Sequence, residues 1–260
     1  MSHVLVVVFW GLVGAAVGSF LNVVADRLPT GGSLLSPPSH CPHCGTRLRP
    51  AELVPVVSYL ALRGRCRSCG GPIGRRTLIV EAGTGLLFAL AACRLPPVSL
   101  RGWLDLILLS IYLGVLVVTT VTDVEHGLIL NRVMYPALGI GAVGAVLAGW
   151  PEGAYRLAGG AIGAGVILLI LLLVPGGMGW GDLRLAGFVG LVTGLPGVLF
   201  ALFVAFVVGG IVGSVLLASG RRRRGDTLPL GPFLALGGAV VLLYGDVLVR
   251  AFWALAAWVR

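Results

Sequence analysis

The sequence predicts an all-α polytopic membrane protein of about eight transmembrane helices, with one small polar insert between the first helix and the second. Composition, long apolar runs and a single interruption predict it. Of 260 residues, 57% are hydrophobic and 11% charged, and the mean hydropathy of +1.01 lies far above that of water-soluble domains. Crossing ~30 Å of hydrocarbon takes roughly 20 apolar residues, and about eight such runs can be counted. Between the first and second runs lies the interruption, which carries four of the five cysteines.

The first run, residues 4–25, lacks a basic stretch before it and a small-residue cleavage pattern after it, so residues 1–25 read as a retained helix. Residues 26–76 differ in kind. They hold Arg27, Arg47, Arg49, Arg63, Arg65, Arg67, Arg75 and Arg76 against only Asp26 and Glu52. So basic a loop stays on the cytoplasmic side, which puts the N-terminus outside and lets the remaining seven-helix core, residues 77–260, follow by alternation.

Span two (77–95) leads out, and span three (103–122) returns to deliver Asp123, Glu125 and His126. Span four (128–150) goes out and span five (156–174) comes back. Gly159, Gly160, Gly163 and Gly165 in span five allow close helix approach. Spans six (182–195) and seven (196–219) form a tight hairpin, with span six short for a crossing. Span eight covers 230–259. By this count Arg221, Arg222, Arg223 and Arg224 are cytoplasmic, as the positive-inside rule independently requires. All 19 basic residues are arginine. The net charge of +9 sits in loops between spans, where orientation explains it better than nucleic acid does. No internal repeat argues for an inverted-repeat transporter.

Two carboxylates stand out. Gly179-Trp180-Gly181-Asp182 forms a bendable island between apolar runs, after Pro175, Gly176 and Gly177. An ionised Asp at the centre of a membrane helix costs ~3 kcal/mol and usually faces a bundle interior or a water-filled cavity. The topology puts Asp123 on the same side as Asp182. Two carboxylates close together in a low-dielectric site share a proton, so that one acts as base on a water and the other as acid on a carbonyl oxygen. That is amide-hydrolysis chemistry. Taken singly, each could be a helix-end residue, Asp182 capping a helix start favoured by the dipole; on one predicted side, they favour the functional reading. Other acidic residues are blander. Asp246 and Arg250 form an i,i+4 pair, and Asp105, Glu152 and Asp226 lie near predicted interfaces.

Cys41-Pro42-His43-Cys44 and Cys66-Arg67-Ser68-Cys69, 21 residues apart, suit one tetrahedral zinc held by four thiolates, with Gly45 and Gly70 easing the turns. Four thiolates leave no open coordination position, so the metal is structural, letting a short insert fold without a sufficient apolar core. His40 and His43 read as bystanders, and Cys93 as a buried small hydrophobe.

The Gly179–Asp182 stretch resembles the GxGD motif of intramembrane aspartyl proteases, and the whole chain resembles bacterial type IV prepilin peptidases. Similar features are Gly18-Ser19-Phe20-Leu21-Asn22-Val23-Val24 followed by Arg27-Leu28-Pro29, the paired CxxC motifs, Val57-Ser58-Tyr59, and Val80-Glu81. The resemblance implies that Asp123, within Thr122-Asp123-Val124-Glu125-His126, and Asp182 are the catalytic pair. It also implies cleavage of the basic leader of type IV prepilins or pseudopilins at the cytoplasmic face of the bacterial inner membrane, and N-methylation of the new terminus with S-adenosylmethionine. Two positions depart from the family pattern. Leu130 stands where a Pro is usual before an acidic or amide residue, here Asn131, and Arg184 stands for a Lys, keeping charge but not geometry. No Gly-rich cofactor signature appears, and of an aromatic-acidic-Asn run common in the loop only Glu52 matches. A second reading, from another class, is a non-enzymatic transporter or assembly scaffold whose zinc module binds a partner.

Overall fold

The computed structural model describes residues 3–174, 178–221 and 228–258. Among them are eight helices and no β-strand: α1 (His3–Arg27), α2 (Val57–Ala61), α3 (Arg75–Arg94), α4 (Leu100–His126), α5 (Asn131–Ala148), α6 (Glu152–Leu173), α7 (Trp180–Ala218) and α8 (Gly231–Trp258). All but α2 are long and apolar enough to cross a membrane.

At 39 residues, α7 would be about 58 Å long if straight, nearly twice the hydrocarbon thickness. It is not straight. Gly194 (φ 64°, ψ −170°) and Leu195 (φ −96°, ψ 138°) leave the helical region just before Pro196, whose ring and missing N–H would in any case interrupt the ladder. The chain reverses there. A Cβ placed on Gly163 of α6 would meet both the Ala186 carbonyl and, at 3.1 Å, Val198 Cγ2. Two residues twelve apart on one straight helix are about 18 Å from each other. Residues 180–193 and 196–218 are therefore the two arms of the expected hairpin, which with the six other long helices makes eight apolar segments among the described residues.

The chain forms two compact units, Met1–Val118 and Thr119–Arg260. In the first, α1 lies antiparallel to α3. Gly14 of α1 faces Phe88 and Thr84, and Gly18 faces Val80, Glu81 and Thr84. The pattern inverts that of a soluble helix: α1 buries Gly14, Gly18 and Asn22 while Val4, Leu5, Val8 and Leu12 are exposed. In lipid, apolar side chains gain nothing by turning inward, so small residues that let backbones approach take the interface. Trp10 Nε1 donates to Ser110 Oγ at 2.8 Å, adding α4 to this face.

In the second unit, α6 packs against α7 through Gly159, whose absent side chain leaves room for the Gly190 carbonyl and Gly194. Gly160 and Gly163 share that face, whereas nothing lies within 4 Å of a Cβ on Gly165. Only three of the four expected glycines serve the close approach, because Gly165 is rotated away from α7. Asp246 and Arg250 pair at 2.5 Å as expected. Cys93 corrects the sequence reading: it is exposed, since it follows the buried pair Ala91 and Ala92 around to the outer face of α3. Arg221 is exposed; Arg222, Arg223 and Arg224, like Pro175, Gly176 and Gly177, lie outside the described residues.

Candidate active site

Asp123 sits on the last turn and a half of α4, which ends at His126 and Gly127 (φ 63°). Only 6% of Asp123 is exposed. Its carboxylate does not face the lipid: Oδ2 accepts the backbone N–H of Gly231 at 3.0 Å. Gly231 opens α8, so the carboxylate lies against the positive end of a helix dipole and takes one of its orphan donors. A Cβ at Gly231 would run into Asp123 Oδ2, which explains why this position has no side chain.

Asp182 lies in the first turn of α7. Its Oδ2 accepts the N–H of Gly179, the N-cap residue, at 2.8 Å, closing the turn from within as a third-position carboxylate does in a capping box. The adjacent Gly181 is pressed on the loop that follows Asp123, since a Cβ there would lie 2.7 Å from Ile129 Cβ. The ends of α4, α7 and α8 thus converge, and the charges of the two carboxylates act on each other.

Arg184, one departure from the family pattern, contacts the residue that follows Leu130, the other. Arg184 Nη1 donates to Asn131 Oδ1 at 2.6 Å, and its guanidinium lies 5.5 Å from the centre of the Tyr135 ring, within cation–π range. Because Asn131 begins α5, this contact ties the start of α5 to the start of α7. Sequence reasoning identified both aspartates but missed Gly231, Ile129 and Tyr135. For Gly231 a signal exists in the Gly231-Pro232 pair opening the last apolar run, since Pro favours the first turn of a helix.

Four cysteines meet in the first unit. The sulfurs of Cys41, Cys44, Cys66 and Cys69 all lie within 4.8 Å of one another, with Cys41 to Cys69 at 3.9 Å and Cys44 to Cys66 at 4.0 Å. A tetrahedron with metal–sulfur bonds of 2.3 Å has edges of about 3.8 Å, so the donor set fits one zinc. The two halves are built alike. Gly45 N–H donates to the Cys41 carbonyl and Gly70 N–H to that of Cys66, both at 2.9 Å, in turns needing φ of 69° and 70°, which glycine adopts freely. Thr46, by its hydroxyl and then its backbone, draws the Cys44 thiol down to about 6. Cys69 is pushed up to about 11 although the Gly71 N–H lowers it, because desolvation and the neighbouring sulfurs outweigh that donor. Only a cation between them would let all four sulfurs be thiolates at this spacing. His43 is not one of the clustered donors, as expected; its ring packs on Gly71 and Nε2 lies 3.3 Å from the Pro72 carbonyl, joining one knuckle to the other.

Comparisons with known proteins match both regions in which these residues lie. Residues 12–95 match the Bacterial Peptidase A24 N-terminal domain, and residues 110–214 match the Type IV leader peptidase family. The chain is 32% identical over 242 residues to a prepilin leader peptidase/N-methyltransferase of Bacillus subtilis, covering 92% of this chain and 94% of the relative. It is 31% identical over 269 residues to one of Pseudomonas aeruginosa, covering 93% and 91%, and 34% identical over 264 residues to one of Burkholderia pseudomallei, covering 90% and 84%. No solved structure gives a significant match. Similarity of this extent covers both the cysteine module and the aspartate-bearing helices, and the chain belongs to the prepilin leader peptidase/N-methyltransferase family.

Proposed function

We propose that this protein is a membrane aspartic endopeptidase that removes the leader of type IV prepilins or pseudopilins and then N-methylates the new terminus, with Asp123 and Asp182 as its catalytic pair. The observation that carries this reading is the convergence of two carboxylates on three helix ends, each oriented by a backbone N–H. One carboxylate takes a proton from water as it attacks the scissile carbonyl, and its protonated partner gives a proton to the carbonyl oxygen. Collapse of the tetrahedral species returns a proton to the leaving amine. The backbone donors keep each carboxyl pointing inward, so little reorganisation is needed during reaction.

Residues 77–260 form the peptidase core, residues 26–76 the zinc module, and residues 1–25 the first helix. The pair and the cysteines face the cytoplasm of a bacterial inner membrane, because the arginine-rich insert stays inside. A prepilin then lays its apolar helix against the bundle with its leader at the pair. The cysteine cluster holds zinc in a structural role, every position being taken by a thiolate. The methyl donor is S-adenosylmethionine by family resemblance. The described residues do not form the Gly-rich strand-loop-helix cradle of nucleotide folds, so no residue is assigned to it and no step runs through it.

Co-expression with a candidate prepilin, followed by mass measurement of the mature N-terminus, tests both activities at once. The expected product has lost its leader and gained one methyl group. A full-length prepilin at wild-type enzyme level would refute the reading in favour of a transporter or scaffold. Gly231 supplies a sharper check. Gly231→Ala drives a methyl group into Asp123 Oδ2 and is expected to lower kcat about 100-fold, the size of effect that ~1 Å of misplacement produces, with KM little changed in a purified cleavage assay.

A further inference from the structure

α3 has 20 residues, about 30 Å of helix, which matches the hydrocarbon thickness with no slack. Its first residue, Arg75, therefore marks one boundary, as does the Asp26–Arg76 ion pair at 2.7 Å between the ends of α1 and α3. Glu81 lies six residues further in, about 9 Å deeper, and is only 4% exposed. Its Oε2 accepts the backbone N–H of Val56 at 2.7 Å. Side chains on a helix lean toward its N-terminus, which returns part of that depth and leaves Val56 below the level of Arg75. Val56 is β-branched yet held at φ 62°, a conformation that costs ~1–3 kcal/mol and persists only where its surroundings enforce it. The insert is thus fastened to α3 at this depth.

Directly after Val56 comes α2, with Val57 and Leu60 each 61% exposed, and before it Leu53 and Val54, also exposed. The segment is flanked by Arg49, Arg63 and Arg65, all exposed. We propose that residues 53–61 are a membrane-dipping segment, seated with Val57 and Leu60 in the boundary between headgroups and acyl chains, with the flanking arginines on lipid phosphates. Interfacial helices bury their apolar face ~5–10 Å into this boundary, the Glu81 contact holds Val56 on the inner side of Arg75, and arginine stems snorkel from there to the phosphates. The same seat explains why four exposed apolar side chains cluster within residues 53–60. A basic prepilin leader is a poor occupant, because the arginines would repel it.

The test uses the full-length, zinc-loaded protein in phosphatidylglycerol/phosphatidylcholine nanodiscs, with Cys93→Ser removing the exposed thiol outside the cluster. A bimane is attached at Leu60→Cys or Val57→Cys, two positions so that one poorly folding variant does not decide the result, and at Leu35→Cys, where the native side chain is 93% exposed. In lipid brominated at the upper acyl chain, emission at 57 and 60 is expected to fall at least about twofold for probes at interfacial depth, while emission at 35 stays unchanged. Equal emission in brominated and unbrominated lipid at 57 and 60 overturns the proposal. So does shielding of these probes from aqueous iodide only when a prepilin is added, which would make the face a protein-docking surface.

Discussion

Asp123→Asn and Asp182→Asn are each expected to abolish prepilin cleavage, by about 1,000-fold or more, with the double variant no worse than either alone. Groups that act as one unit are strongly non-additive, and a single general acid or base contributes ~10²–10⁴. The substitutions are clean by geometry. An asparagine Oδ1 can still accept the Gly231 N–H at position 123 and the Gly179 N–H at position 182, so both helix ends keep their caps while the ionisable group is lost. If the aspartates served only as helix caps, the amides would substitute with little consequence, since replacing one good capping residue by another changes stability by well under the ~1 kcal/mol that loss of a cap costs. Single-turnover kinetics with a purified prepilin, at matched folded enzyme, separates the outcomes. Full processing by either variant would end the proposed pairing.

Cys41→Ser with Cys69→Ser is expected to eliminate bound zinc and to lower the yield of folded protein. Each knuckle loses one ligand, and the remaining Cys44 and Cys66 sulfurs, 4.0 Å apart, cannot complete a tetrahedron. In small metal modules the metal's binding free energy is folding free energy, ~10–16 kcal/mol in zinc-finger peptides, and residues 26–76 have little apolar core to replace it. Metal content by mass spectrometry, with limited proteolysis of the insert, reads this directly. One zinc per chain retained in the double variant would refute the site. Cleavage confined to 26–76, with the membrane helices intact, would show that the cluster holds the module alone.

The hairpin of α7 was legible before any coordinates. Gly194, Leu195 and Pro196 break a run too long for one crossing, and Gly194 does adopt the positive φ that the break needs. The cysteine cluster was equally legible, because short spacings within each CxxC pair leave the four sulfurs few arrangements. Cys93 was not. An exposed thiol among apolar neighbours looks buried from composition alone, and in lipid the outward face of a helix is as apolar as the inward one. The same ambiguity hid the purpose of Gly165, which has the same residue type as Gly159 and Gly163 but another angular position on α6.

Within the candidate site the division is similar. The choice of Asp123 and Asp182 as candidates, the expectation that they share one side of the membrane and the chemistry proposed for them rest on residue types, run lengths and the arginine distribution, all of which are local properties of the chain. That Asp123 is held by Gly231, 108 residues away, that Gly181 rests on Ile129, and that Arg184 finds Asn131 came only from the folded chain. Those contacts depend on the rotation of each helix about its axis. Where lipid removes the drive to turn apolar faces inward, rotation is set by close packing and by the few polar partners available, and no periodicity in the sequence encodes it.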